Sequence, residues 1–150
     1  MSVDKLAPRL FAHPLKSWER GAVSAALAKA GLASEDVEEP HHLFWRFETD
    51  EEMPVGFGGL EPYGQDALLR SVVTLPPLRN KGIGTAIVAA IEAEARLRGS
   101  RAIWVVSRAA GSFFERRGYA KCLSSVVPDL IRATRAFQSA GDAEILVKLL

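Results

Sequence analysis

The sequence contains little cysteine, no long apolar run and almost no net charge. Cys122 is the one cysteine in 150 residues, which excludes a disulfide within the chain and favours a reducing compartment, so we expect a cytoplasmic protein. No apolar stretch approaches the ~20 residues that cross a bilayer, and residues 1–15 lack the apolar core of a secretion signal. The net charge of +1 gives no general attraction to nucleic acid or to a membrane, and neither partner is expected.

Common metal and nucleotide motifs are also missing. His41 and His42 are adjacent and therefore do not share a face, and no cysteine or carboxylate spacing completes a site, so no metal ion is expected. The phosphate-loop pattern G-x-x-x-x-G-K-[ST] does not occur. Gly82 and Gly84 could begin a dinucleotide fingerprint, but its third small residue would fall at Ile87, so that pattern fails as well.

The composition and apolar periodicity nevertheless define a fold class. At 150 residues, with 48% hydrophobic and 25% charged residues, the chain has the properties of one globular domain over 1–150. The predicted strands are 5–11, 43–48, 55–61, 67–75, 102–106, 119–123 and 143–149, and the predicted helices are 17–30, 85–98, 109–117 and 128–137. This order predicts an α/β fold in which a mixed central sheet of about six to seven strands carries helices on both faces.

Residues 79–84, between a predicted strand and a predicted helix, form the most informative segment. They read Arg-Asn-Lys-Gly-Ile-Gly. The start of a helix presents backbone N–H groups at the positive end of the helix dipole, and glycine lets an anion approach them closely. Arg79 and Lys81 add positive charge. The segment therefore predicts a phosphate site, with a simple glycine-containing turn as the alternative.

The stretch from Leu68 to Gly99 resembles motif A of the GNAT family of N-acetyltransferases, whose pattern is Q/R-x-x-G-x-G/A after a strand that ends in a proline turn. The resemblance implies that the loop holds the pyrophosphate of acetyl-coenzyme A (acetyl-CoA), the co-substrate. It also implies that the coenzyme lies in a V between strands 67–75 and 102–106, with strand backbone groups pairing with its pantetheine arm. The implied coenzyme-binding residues are Val72, Val73, Thr74, Arg79, Asn80, Lys81, Gly82, Ile83, Gly84 and Thr85.

A second stretch, Ser107 to Tyr119, resembles motif B of the same family, N-x-x-A-x-x-F-Y-x-x-x-G-F. The resemblance implies that Ser107 and Phe113 also contact the coenzyme, with Ser107 in place of an asparagine that often holds the pantetheine arm. Phe114 stands where a tyrosine often protonates the coenzyme thiolate, and phenylalanine has no proton to donate. A thiol pKa of about 8.5 makes the thiolate a tolerable leaving group without that acid, so we expect activity to persist.

Three polar residues are candidates for the acceptor site. N-acetyl transfer needs a base because an alkyl ammonium has a pKa of about 10, and Glu61, at the end of the predicted strand 55–61, is the candidate catalytic base. A solvated turn carboxylate is the alternative. Arg70 interrupts an apolar strand and needs a partner, either a substrate carboxylate or Glu61 itself in a structural ion pair. Tyr63 and Ser71 are further candidates for substrate binding.

A narrower resemblance concerns the acetyltransferases encoded in bacterial arsenic-resistance operons. It rests on residues 58–64, 67–72, Pro128 and 131–134. It implies N-acetylation of the α-amino group of a small amino acid or a toxic analogue of the arsinothricin and phosphinothricin type. Two alternatives stay open, namely a catalytically weak acetyl-CoA sensor and an acetyltransferase for protein N-termini or aminoacyl-tRNA. An exposed sheet edge could also form a homodimer.

Overall fold

The computed structural model describes residues 9–31, 41–75 and 82–150. Residues 5–8 of the predicted first strand lie outside these ranges, as does the acidic segment 34–40. Arg79, Asn80 and Lys81 of the predicted phosphate loop also lie outside the described residues. None of the helices within the described ranges is both long and apolar enough to cross a membrane.

Seven strands, counted over the described residues, form one mixed sheet flanked by helices. The strands are β1 (Phe11–Pro14), β2 (Leu43–Glu48), β3 (Pro54–Tyr63), β4 (Asp66–Thr74), β5 (Ala102–Ser107), β6 (Ala120–Lys121) and β7 (Glu144–Leu149). The helices are α1 (Ser17–Lys29), α2 (Ile83–Leu97), α3 (Gly111–Glu115), α4 (Asp129–Arg132) and α5 (Arg135–Gln138). The strand order is β1-β2-β3-β4-β5-β7-β6, which confirms the predicted α/β class and the predicted mixed sheet.

The sheet combines antiparallel and parallel neighbours. β1 pairs with β2, and β7 pairs with both β5 and β6, always antiparallel. β4 and β5 are parallel, in a register that sets Asp66 opposite Ala102 and Leu68 opposite Trp104. Helix α2 connects these two strands, as a parallel crossover requires.

Several element boundaries differ from the predicted ones for local reasons. α1 begins at Ser17, as predicted, and ends one residue early, at Lys29; Lys16 is its N-cap residue, and the carboxylate of Glu19 accepts the Lys16 backbone N–H at 3.0 Å. The predicted helix 128–137 is two short helices, because Thr134 is extended (φ −70°, ψ 154°) and its hydroxyl accepts the N–H of Phe137. β1 begins at Phe11, where the predicted first strand ends.

Strand β3 is longer than predicted, and this changes the position of the candidate base. The sequence predicts that the strand ends at Glu61, whereas it continues to Tyr63. The turn to β4 is made by Gly64, which adopts a left-handed conformation (φ 68°) that other residues rarely take. Glu61 therefore lies inside a strand and not in the turn.

The described residues divide into two compact units, those within Met1–Gly59 and Ser71–Ala93 and those within Leu60–Arg70 and Glu94–Leu150. The single domain expected from the chain length remains a prediction. In the first unit a hydrophobic cluster joins α1 to β2, with the members Leu15, Val23, Leu27 and Phe44. In the second unit a cluster joins β4, β5 and β7 to the segment around α4, with the members Leu68, Trp104, Val127, Ile131 and Ile145.

Candidate active site

Glu61 is a buried carboxylate held by two neighbouring side chains. The residue is only 2% exposed. The Tyr63 hydroxyl donates to Oε1 of Glu61 at 2.6 Å, and Nη1 of Arg70 donates to Oε2 at 3.1 Å. Tyr63 lies two residues further along the same strand, so its side chain shares a face with Glu61. Both carboxylate oxygens thus accept a hydrogen bond, and the orientation of the group is fixed.

Arg70 completes a buried ion pair with Glu61. The side chains of the two residues are 9% and 3% exposed, respectively. A buried charge is costly unless it is paired and hydrogen-bonded, so each residue accounts for the presence of the other inside an apolar strand. The ion pair is the alternative that the sequence left open for Arg70. It does not exclude a substrate carboxylate, because the planar guanidinium carries five N–H donors.

The neighbourhood of this pair is held by an apolar cluster and one hydrogen bond. Tyr63 packs against the cluster that contains Trp104 and Ile131. Nε1 of Trp104 donates to Oδ1 of Asp66 at 2.9 Å. Asp66 and Arg70 lie on the same face of β4, since side chains alternate along a strand. The sequence did not reveal the Asp66–Trp104 contact, which joins two strands; alternation along β4 could reveal only that Asp66 and Arg70 share a face.

Ser71, a predicted substrate-binding residue, has an unusual backbone conformation. Its φ is 62°, in the left-handed region, inside strand β4. Such a conformation costs about 1–3 kcal/mol in a residue other than glycine and persists only where the surroundings impose it. Hydrogen-bonded pairing of β4 with β5 ends before this point, at Leu68 and Trp104.

The last residues of β4 and the start of α2 carry most of the predicted coenzyme contacts. Val72, Val73 and Thr74 are half-buried. A Cβ on Gly56 of β3 would collide with the backbone oxygen of Val73, so glycine is needed for the two strands to approach closely. These observations place the predicted residues within one strand of the first unit. Their role as partners of the pantetheine arm stays a prediction.

The beginning of α2 fits a phosphate group. Gly82 precedes the helix in a left-handed conformation (φ 78°), is exposed and accepts the N–H of Ala86 at 3.1 Å. Ile83 is buried and anchors the first turn, whereas Gly84 and Thr85 are half-buried. No acidic side chain lies in that turn, and the helix is 15 residues long, so its dipole is not opposed at this end. Helix geometry leaves the first N–H groups without an acceptor inside the helix, which suits a pyrophosphate.

The two motif B residues that are predicted to contact the coenzyme differ in burial and in their contacts. Ser107 is buried, and its hydroxyl accepts the Ala110 N–H at 2.8 Å, which closes the turn that leads into α3. Phe113 is half-buried and carries the guanidinium of Arg117 over its ring at 3.6 Å, a contact that the sequence did not reveal. Burial, together with the charge of neighbouring Arg116, lowers the pKa of Arg117.

Phe114 is a packing residue. It is 6% exposed and contacts the ring of Tyr119 edge to face, with 5.3 Å between the ring centroids.

Cys122 is half-buried, its thiol lies 3.6 Å from the carbonyl oxygen of Ile145, and burial raises the pKa of the thiol. A protonated, enclosed thiol is a poor nucleophile. Within the part of the chain that the structure describes, no cluster of three or more His, Cys, Asp or Glu side chains could hold a metal ion.

A family model described as the acetyltransferase (GNAT) family matches residues 8–119, well over half of the chain. The chain belongs to the GNAT family. Members of this family are acetyltransferases. A search of curated proteins found no match.

Solved structures similar to this GNAT chain share its fold at low sequence identity. N-acetylglutamate synthase from Neisseria gonorrhoeae, complexed with coenzyme A and N-acetyl-glutamate, has a TM-score of 0.77 and 20% identity. This chain aligns over 97% of its own length but spans only 36% of the synthase chain. A GNAT acetyltransferase from Staphylococcus aureus Mu50 has a TM-score of 0.73 and 13% identity, covering 94% of this chain and 99% of the other. Rv2747 from Mycobacterium tuberculosis, in complex with CoA, has a TM-score of 0.69 and 17% identity, covering 93% of this chain and 99% of the other.

Proposed function

We propose that this GNAT protein acetylates the α-amino group of a small amino acid, or of a toxic analogue of the arsinothricin and phosphinothricin type. The observation that carries the proposal is the buried Glu61–Arg70 ion pair. An α-amino acid is a zwitterion in which an ammonium group and a carboxylate are separated by one carbon. A neighbouring carboxylate and guanidinium present the complementary pair of charges to it.

The chemistry assigned to each side chain follows from its charge. Acetyl-CoA, when bound, supplies an acetyl group on a thioester, which an uncharged amine can attack. Glu61 accepts the proton that the substrate ammonium must lose, directly or through one water molecule. Arg70 holds the substrate carboxylate with its planar fork and so orients the amine.

The comparisons give this proposal limited but specific support. The N-acetylglutamate synthase structure contains an acetylated amino acid together with coenzyme A. This chain spans only 36% of that synthase chain, so the likeness supports an amino-acid acceptor without naming which one. The hypothesis that the protein acetylates toxic amino-acid analogues rests on the sequence resemblance to the arsenic-resistance acetyltransferases.

A panel of acceptors tests the proposal through the release of free coenzyme A. We expect α-amino acids, with glutamate and its phosphinic and arsinic analogues included, to exceed their α-carboxamides in kcat/KM by about 10–100-fold, the loss expected for hydrogen bonds to a charged group. Simple alkylamines should react no faster than the carboxamides. Equal rates for an amino acid and its carboxamide would contradict recognition of a zwitterion, and a preference for peptides with free N-termini would favour the protein-acetylating alternative.

Arg70→Lys tests the guanidinium. Lysine keeps the positive charge beside Glu61 but loses the planar fork, so we expect KM for the amino acid to rise about tenfold or more, with a smaller change in kcat. Arg98→Lys is the matched control, because Arg98 is also paired with a carboxylate, that of Glu94 on α2. Steady-state kinetics with a saturating acyl donor measure both variants. An unchanged KM in Arg70→Lys would limit Arg70 to a structural ion pair.

A catalytically weak acetyl-CoA sensor is the second candidate, and the buried Phe114 favours it, since this side chain has no hydroxyl. Single-turnover acetylation of the same panel separates the candidates. A sensor would bind acetyl-CoA yet leave every amino acid unmodified.

A further inference from the structure

We propose that Tyr63 is a positioning residue, which fixes the Glu61 carboxylate in its working orientation and is itself held in place by the apolar cluster that includes Ile131. The inference rests on the proposed function in one respect, namely that Glu61 is the base. It changes the role of Tyr63, which the sequence predicted as a substrate-binding residue. It also gives the segment containing α4 a part in catalysis without contact with the reacting atoms.

The first step is the hydrogen bond between Tyr63 and Glu61. At 2.6 Å it is short, as expected for an O–H donor and a carboxylate acceptor. Arg70 donates to the other carboxylate oxygen, so Tyr63 and Arg70 each hold one oxygen of Glu61 by a hydrogen bond. Loss of the Tyr63 hydrogen bond would remove one of the contacts that fix the carboxylate, whose terminal side-chain torsion has a broad energy minimum. The orientation of the base therefore depends on where the phenol ring lies.

The second step is the packing of the phenol ring. Tyr63 packs against the apolar cluster of the second unit, in which Ile131 is fully buried at 0% exposure. Phe137 of α5 packs on the same cluster. Buried side chains occupy single rotamers in a close-packed core, so a change in the volume of Ile131 is felt by its neighbours. The cluster to which α4 contributes Ile131 therefore restricts the position of the Tyr63 ring, and the ring carries the hydroxyl that binds the carboxylate.

The third step concerns how α4 itself is held. Thr134 is buried, and its hydroxyl donates to the carbonyl oxygen of Ile131 at 2.6 Å while accepting the N–H of Phe137. Arg132 donates to the carbonyl oxygen of Ser124 and so ties α4 to the preceding turn. These bonds make residues 124–138 a braced segment. These hydrogen bonds restrict the motion of α4 and therefore help to keep Ile131 in one position.

A double-mutant cycle tests the proposal. Tyr63→Phe keeps the ring and removes only the hydroxyl, so we expect kcat to fall about 10–100-fold, with KM for the amino acid and Kd for coenzyme A changed less than about twofold. In a Glu61→Gln background the same substitution should change kcat less than about twofold, because a residue that acts only through Glu61 has nothing left to position. A general structural defect would instead lower kcat by the same factor in both backgrounds.

Tyr119→Phe is the matched control, since the half-buried Tyr63 and the buried Tyr119 are the two tyrosines of the chain. It should leave kcat unchanged in both backgrounds. Ile131→Ala extends the test: it should lower kcat in the parent protein and have no further effect on kcat once Tyr63 is phenylalanine. If that variant does not fold, the cycle between Tyr63 and Glu61 decides alone.

The outcomes separate this inference from the proposed function. Low turnover in Glu61→Gln with full turnover in Tyr63→Phe overturns the inference and leaves Glu61 as the base. Full turnover in Glu61→Gln overturns both. If no amino acid on the panel is acetylated, the same four proteins are compared in urea unfolding. Coupling between Tyr63 and Glu61 in the unfolding free energy would then support the contact, and its absence would overturn it.

Discussion

Glu61→Gln is expected to lower kcat by about 10²–10⁴-fold, the usual contribution of a positioned general base, while the Kd for coenzyme A changes less than about threefold. Glutamine has nearly the same shape and can still accept a hydrogen bond from Tyr63, but it cannot accept the proton of the substrate ammonium. Single-turnover kinetics and coenzyme titration, performed on the same preparation, measure the two quantities separately.

The substitution also has a cost in stability, which must be distinguished from its catalytic effect. Arg70 would lose the buried charged partner that lies 3.1 Å from its Nη1, so the urea midpoint of unfolding should fall. Glu48→Gln is the matched control, because Glu48 is a strand carboxylate that is also bound by an arginine, Arg46. It should lose some stability and keep full turnover. Unchanged turnover in Glu61→Gln would remove Glu61 from the mechanism.

The sequence predicts those parts of the fold that depend on local pattern. Apolar spacing gives β4 and α2 to within one or two residues, because a strand and a helix each bury a face with its own period. The glycine pair at Gly82 and Gly84 marks the start of α2 for an equally local reason. The α/β class then follows from the order of elements alone.

Contacts between distant residues were not accessible in the same way. The position of β7 between β5 and β6 depends on a return of the last strand across the sheet, which no local pattern encodes. The burial of Glu61 depends on the extension of β3 to Tyr63, and the turn residue Gly64 was its one local signal. The cluster that holds Tyr63 includes Ile131, which lies 68 residues further along the chain by the numbering. A single sequence indicates that Arg70 needs a partner, but it does not decide between a substrate and Glu61.

Gly82→Val is expected to weaken coenzyme A binding by about 10–100-fold, a loss of roughly 1.5–3 kcal/mol, comparable with hydrogen bonds to a charged group. Gly82 has a φ of 78° at the start of α2, where a β-branched side chain is strained and would also stand beside the N–H groups that we assign to the pyrophosphate. Isothermal titration with coenzyme A measures the affinity. Titration with pantetheine, which lacks the pyrophosphate, should show a much smaller difference between the variant and the parent protein.

The strain must be separated from the crowding of the ligand, and helix α2 offers the control at its other end. Gly99 has a φ of 84°, and a Cβ added there would meet no atom within 4 Å, so Gly99→Val carries the backbone penalty alone. Both variants should lose similar stability, because the left-handed conformation costs each valine about the same. If Gly99→Val binds coenzyme A normally and Gly82→Val does not, the loss belongs to the helix start as a phosphate site. If both bind normally, the pyrophosphate must be held elsewhere, because a valine at residue 82 would leave no room for it beside these amides.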